Sequence, residues 1–290
     1  MINFLAYRSY AASISLAILI VSVGAYIWRG GFNYSVDFAG GTQVLLRFDA
    51  PVESETIKDI LRDAQLAQNA IIREFSAQEK MVRVKEFQND AQGLGERMAH
   101  VLRERLAGVA VEVLSVDSVG AGVGAQMRWK SMIAIMIALM LMLLYIAIRF
   151  QFAFAVGAIV ALLHDAVAIP GFFLLFNKEI TIDVIAAVLT ILGYSINDTI
   201  VIFAKIRENL GVMRSAPLEH IVNVSISKTL RRTILTSVAT ALVVIALLLF
   251  GGEALHDLAL ALLIGIIVGT YSSIYVASPV MMLFQGRHTA

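Results

Sequence analysis

Cysteine is absent from this sequence, which excludes disulfides and thiolate metal sites. Charge is scarce as well. Only 16% of residues are Asp, Glu, Lys or Arg, and the formal net charge is +1, so nucleic acid is not suggested as a partner. No Walker A sequence, dinucleotide fingerprint or metal-ligand spacing occurs, and no nucleophile–base pair stands out. The expectation is therefore no enzyme, no cofactor and no metal. With no nucleotide site, any work the chain performs must draw on an ion gradient. The N-terminal apolar segment lacks a small-residue cleavage site and reads as a retained signal anchor.

Apolar residues fill that space. They make up 59% of 290 residues, with a mean hydropathy of +0.79, the composition of an integral membrane protein. Runs long enough to cross a bilayer fall at 10–28, 131–148, 152–176, 181–204, 233–250 and 258–284. An even number places both termini on one side. Arg8, Arg149, Arg287 and the six basic residues from Lys205 to Arg232 share that side, whereas the opposite short loops carry only Lys178. By the positive-inside rule the termini and the 205–232 loop are cytoplasmic. Trp28 and Trp129 then flank the outer ends of the first two spans as interfacial aromatics.

The segment 29–130 must lie outside. It holds 13 basic and 14 acidic residues, as a water-exposed domain does. "TQVLLRF" alternates, with Val44, Leu46 and Phe48 on one face of a half-buried strand. "PVESETIKDILRDAQLA" places Ile57, Ile60, Leu61 and Leu66 at helical spacing. "NAIIREF" and "KMVRVKEF" read as two short strands, "LGERMAHVLRERL" as a second amphipathic helix and "VAVEVLSV" as a closing strand. The order βαββαβ is the ferredoxin-like arrangement. The fold class is an integral membrane α-helical bundle of six transmembrane helices with an extracytoplasmic α+β ferredoxin-like domain. Its parts are residues 1–28 (N-terminus and first span), 29–130 (outer domain) and 131–290 (five spans, with a cytoplasmic loop at 205–232).

Polar groups inside the spans are the candidate functional residues. Asp198, in "YSINDTIVIFAKIREN", sits in an almost wholly apolar stretch. A carboxylate there costs several kcal/mol unless it is paired, hydrated or protonated. It falls roughly 9 Å inside the cytoplasmic end of the fourth span, at about 1.5 Å per residue. Asn197, Gly193 and Thr190 give the same helix a small polar face. Proton handling and a structural interhelical hydrogen bond both remain open. Arg232 opens the fifth span and is the natural partner of Asp198, with Thr236 and Thr240 continuing its stripe and Thr233 and Ser237 widening it. Snorkelling to the surface is the other reading of Arg232. His164 and Asp165 form a second ionisable pair. Neighbours on a helix point about 100° apart, so at least one of them faces the bundle, as a proton relay or as a hydrogen-bonded structural group. Asp183, His256 and Asp257 fall at the outer rim and read as solvated. Gly265 and Gly269, followed by Ser272 and Ser273, form a close-packing stripe on the sixth span. In "DFAGGT", Gly40 and Gly41 read as a tight turn between strand-like segments rather than a phosphate loop.

These stretches also resemble the SecF family of Sec protein-export subunits, within the resistance-nodulation-division group. The resemblance runs almost end to end: "VDFAGGTQV", which includes Asp37, Gly40 and Gly41, then "SVGAGVGAQ", "LLYIAIRF", "AIVALLHD", "GYSINDTIVIFAKIREN", "LRRTILTS" and "GTYSSIYVASP". It implies residence in the bacterial cytoplasmic membrane and a SecD partner of similar layout. It further implies contact with the SecYEG channel and often YajC, and use of the proton-motive force to help unfolded preproteins across the bilayer. It also implies a proton-transport role for the aspartate at 198 and the arginine at 232; the resemblance assigns none to His164, Asp165 or Asn197, which stay proton-transport candidates on their position in the spans.

The chain departs from the family at Ala121, where proline is usual, and at Ala39, where threonine is common. It departs again at Ala204–Lys205, where an acid and an arginine are common, and Pro170 inside the third span is unusual. Two rival readings stand beside this one. One is a half-subunit of a small-molecule or lipid exporter, against which the small outer domain counts. The other is a scaffold for the channel that conducts no protons.

Overall fold

The computed structural model describes residues 3–68, 70–74, 76–85, 90–106 and 108–285. Asn69, Phe75, Glu86 and Phe87, at the ends of two expected strands, and Arg287 lie outside the described residues. The chain divides into two compact units, residues 34–131, and 1–33 together with 132–290.

The first unit is a sheet covered by helices. Its strands are β1 (Gly41–Phe48), β2 (Ile71–Glu74), β3 (Glu79–Val84) and β4 (Val111–Val119), with helices α3 (Ser54–Asp63) and α4 (Ala91–Arg105). The strand order is β2-β3-β1-β4 and every neighbouring pair is antiparallel. That is the ferredoxin-like order which the βαββαβ pattern predicts. Val44 lies opposite Val82 on one side and Val116 on the other. Val44, Leu46, Phe48, Ile57, Leu61, Val82, Met98 and Leu102 are fully buried between sheet and helices. Period-2 strands and period-3.6 helices thus turn their apolar faces to one core.

Gly40, just before β1, and Gly41, its first residue, have φ of +78° and +120°. A Cβ on Gly41 would fall 2.5 Å from the Val84 carbonyl oxygen, and one on Gly40 would fall 2.6 Å from Ala121 Cα. The tight turn therefore holds, and glycine is required twice over. The residues before it are not strand-like as expected. They form a single helical turn, α2 (Val36–Ala39), with Ser35 Oγ donating to Asp37 Oδ2 at 2.9 Å.

The second unit is a helix bundle. Among the described residues, six helices are long and apolar enough to cross a membrane. α1 is Arg8–Arg29, α5 Ala121–Arg149, α6 Phe152–Leu175, α7 Ile182–Val212 and α8 Leu218–Phe250. The sixth comprises α9 (Glu253–Ser272), a π-helical turn (Ser273–Ala277) and α10 (Ser278–Gln285). α6, α7 and α9 form the centre; α1 packs on α6, and α8 packs on α7 and α9. Along the apolar part of α5 only Leu139 and Ile146 are buried.

The segment 205–232, expected as a loop, is helical except at 213–217. Apolar runs end where the bilayer does, but the backbone ladder does not. Lys205 pairs with Glu208 at 2.6 Å and Asn209 donates to Ser225 Oγ at 2.7 Å, so charged and polar turns extend both helices. α6 runs as one helix through Pro170. Beside it a Cβ on Gly171 would fall 2.0 Å from Ser22 Oγ of α1, so the two helices touch there.

Candidate functional site: polar groups at the centre of the bundle

The polar layer is built on α6, α7 and α9. Asp165 on α6 is wholly buried. Its Oδ2 accepts from Ser195 Oγ of α7 at 2.6 Å and from Ser272 Oγ of α9 at 2.8 Å. Its Oδ1 lies 3.1 Å from Nδ1 of its neighbour His164, which is also buried. Both members of the pair therefore face the bundle, and the carboxylate ties three helices together. Serine is the residue that fits here. Its hydroxyl reaches an adjacent helix only where backbones come close, and Gly269 supplies that approach: a Cβ there would lie 3.0 Å from Ser195 Cβ. Gly265, one turn earlier, would set its Cβ 2.4 Å from Ile191 Cγ1. The expected close-packing stripe is the α9–α7 contact.

Asp198 lies one turn beyond Ser195 and close to the middle of α7, about 24 Å from one end and about 21 Å from the other at the helical rise. The helix extends past the expected end of the span, so Asp198 lies further from the C-terminal end of α7 than from the expected end of the span. Only 3% of the residue is exposed, and its Oδ2 has no hydrogen-bond partner. Two other buried hydroxyls are also without partners: Tyr194 one turn away on α7, and Thr233 on α8. The Nε2 of His164 is the fourth such atom among the described residues of the bundle.

Arg232 is exposed on α8 and forms neither an ion pair nor a hydrogen bond with Asp198. The hydroxyls of Thr236 and Thr240, on the same stripe as Arg232, bond back to carbonyls of their own helix at 3.0 and 2.9 Å. The bundle-facing stripe of α8 is instead Thr233 and Ser237, and Ser237 Oγ meets Thr270 Oγ1 of α9 at 2.8 Å. Gly193 and Asn197 are exposed on α7 together with Thr190, one helical face away from Ser195 and Asp198. The spacing of small and polar residues found this face but not which neighbour it meets.

The outer rim departs from expectation. Asp257 is not simply solvated: it pairs with Lys178 at 3.1 Å, with 15% and 26% of the two side chains exposed. Residues the sequence reading passed over as site members are Ser195, Tyr194 and Ser272. Ser195 and Tyr194 lie inside the same "YSIND" stretch as Asp198. The signal was present, since small hydroxyls one turn from a buried acid, and beside a glycine stripe, are where interhelical hydrogen bonds form.

The model of the family described as "Protein export membrane protein SecD/SecF, C-terminal" matches residues 100–287, and that of the SecD/SecF GG motif matches residues 27–52. The chain belongs to the SecD/SecF family. It is similar to the protein translocase subunit SecF of Thermodesulfovibrio yellowstonii, with 41% identity over 97% of this chain and 94% of that one. For the SecF of Pseudomonas aeruginosa the identity is 38%, over 97% and 90%. A crystal structure of SecDF, a translocon-associated membrane protein from Thermus thermophilus, superposes at a TM-score of 0.89 with 37% identity. The match covers 99% of this chain and 39% of that one. This SecF-family chain therefore corresponds to about two-fifths of the fused protein, and its GG motif contains the Gly40–Gly41 turn.

Proposed function

We propose that this chain is the SecF-type half of a proton-driven accessory to protein translocation, working with a SecD-type half in a bacterial inner membrane. The observation that carries this reading is Asp198. It is an acid near the midpoint of a membrane-length helix, buried, with one oxygen unpartnered. An ionisable group in that position is costly to keep, and such groups mark ion or proton pathways by default. Asp165 has the opposite character. Its Oδ2 is bonded by two serines, so it pins α7 to α6 and α9 one turn from Asp198. Proton uptake at Asp198 then acts on a helix anchored at Ser195, and the change passes to α8 and α9 as a shift in packing. His164 and Asp165 hold the anchor, and Arg232 sets the charge that Asp198 faces.

The open face of α7 supports the partner. Thr190, Gly193 and Asn197 are exposed in the isolated chain, and lipid tails offer an asparagine amide no hydrogen bond. A small-residue helix face of this kind packs against another helix. The relative named SecDF, of which this chain matches 39%, continues beyond the matched part in the same polypeptide. Assembly with the SecYEG channel and YajC, and action on unfolded preprotein, complete the proposal. In it both termini are cytoplasmic.

The test uses inverted vesicles carrying this chain, its SecD-type partner and the channel, with protein levels matched. Asp198→Asn is expected to lower gradient-dependent preprotein translocation to the level seen without a gradient, while the ATP-dependent part persists. Unchanged translocation would make the carboxylate structural and the chain a scaffold that conducts no protons.

A further inference from the structure

Two neighbouring cavities lie along α1 and α6. The first, of about 310 Å³, is apolar and is lined by Ala17, Val21 and Ser22 of α1, Ala168 and Phe172 of α6, and Val268 of α9. The small side chains on both helices leave it unfilled. Leu175, the last residue of α6, also lines it.

The second, of about 360 Å³, lies at the end of the same two helices, between Arg29–Asn33 and Leu174 and Asn177. No carboxylate lines it. Arg29 donates to Asn177 Oδ1 at 2.6 Å and to the backbone oxygen of Leu175 at 3.3 Å. Leu175 belongs to the apolar groove, so these bonds fix the guanidinium at the groove's mouth. Both acceptors are neutral, and among the described residues no carboxylate pairs with Arg29. Its remaining N–H groups and the Asn177 amide nitrogen are left to donate to an anion. Ser22 and Arg29 are separated by about 10 Å along the helix axis. Trp28, 85% exposed beside Arg29, marks the level of the membrane interface.

We infer that this surface binds one anionic glycerophospholipid, with an acyl chain along the α1–α6 groove and its phosphate on Arg29 and Asn177. The occupant follows from the pairing of two features. A purely apolar groove would take any chain, but an unneutralised guanidinium fixed at its mouth asks for a phosphate on the same molecule. Arginine suits this because its planar fork matches phosphate oxygens with charge-assisted hydrogen bonds. Burying methylenes in the groove adds the apolar part of the affinity. Both cavities lie on helices of membrane-spanning length, so lipid is the amphiphile that surrounds them.

The experiment uses the full chain in nanodiscs of mixed phosphatidylglycerol and phosphatidylcholine, and counts retained lipids by native mass spectrometry. The native chain is expected to keep one phosphatidylglycerol with a preference of about tenfold over phosphatidylcholine, the equivalent of one such contact at about 1.4 kcal/mol. Arg29→Gln should abolish the preference while leaving some lipid bound. Val21→Trp, at a half-exposed groove position, should lower retention of both lipids. Val23→Trp, exposed and outside the groove lining, should not. Ala17→Leu replaces Val21→Trp if the latter fails to fold. Equal retention of the two lipids by the native chain overturns the inference, as does a preference that survives Arg29→Gln. A dimer mass in place of bound lipid overturns it too, because a second copy would then cover the groove.

Discussion

Two aspartates inside one bundle have opposite surroundings, and that difference sorts their roles. Asp165 has both carboxylate oxygens engaged, one of them by two serine hydroxyls from other helices. Asp198 has an oxygen with no partner. A buried carboxylate deprived of a donor is left under-satisfied at a cost of about 1–3 kcal/mol. Ser195→Ala and Ser272→Ala are therefore each expected to destabilise the purified chain by about 1–3 kcal/mol. The double variant should cost less or more than their sum, because both hydroxyls share one acceptor. Asp198→Asn breaks no hydrogen bond at Oδ2 and is expected to change stability by less than about 1 kcal/mol. Thermal unfolding in detergent, followed by helical circular dichroism, measures all four. An Asp198→Asn protein that unfolds earlier than either serine variant would reverse the assignment of structural pin and free group.

At the scale of elements, α7 is a helix with two kinds of face. Its inner side meets α9 at Gly265 and Gly269, where a Cβ would come within 2.4 and 3.0 Å of Ile191 and Ser195 atoms. Its outer side carries Gly193, where a Cβ would meet nothing within 4 Å. Gly265→Val should thus destabilise the chain by about 2 kcal/mol or more through overpacking. Gly193→Leu should leave it as stable as the native chain yet reduce co-purification of a SecD-type partner several-fold. Co-purification unaffected by Gly193→Leu would mean that the open face of α7 is covered by something other than the partner. The same two-sidedness explains what could be read from the sequence. Val44, Leu46 and Phe48 alternated, Ile57 and Leu61 recurred at helical spacing, and both sets are in the sheet unit's core. Each pattern had one buried side and a solvated one. In the bundle every face is apolar, so periodicity did not separate Thr233 and Ser237, which face inward, from Thr236 and Thr240, which do not. Nor did it show the helix ends: Lys205, Arg207, Glu208 and Asn209 are polar yet remain in α7, and side-chain bonds that no hydropathy window records tie them there. The π-turn at Ser273–Ala277 was equally invisible. α6 comes close to it at Gly157, where a Cβ would lie 2.6 Å from the Ala277 oxygen.

On the scale of the whole molecule, orientation decides what a proton at Asp198 can do. The positive-inside reading puts the turn between α7 and α8 in the cytoplasm and the sheet unit on the far side. The absence of cysteine makes this directly testable, since any introduced thiol is the only one in the chain. Gln92→Cys, at an exposed position of the sheet unit, and Ser215→Cys, exposed between α7 and α8, provide one reporter for each side. In intact cells a membrane-impermeant maleimide is expected to label Gln92→Cys and leave Ser215→Cys unreacted, and in inverted vesicles the pattern should exchange. That result would place the Lys205, Arg207 and Lys228 charges on the cytoplasmic side. Protons moving down the gradient would then enter from the side of the sheet unit and leave towards this basic end, passing Asp198 on the way. Labelling of Ser215→Cys in intact cells would invert the chain. The sheet unit would then face the cytoplasm, where it could not receive a preprotein emerging on the far side, and the coupling of proton entry to release on that side would have to be abandoned.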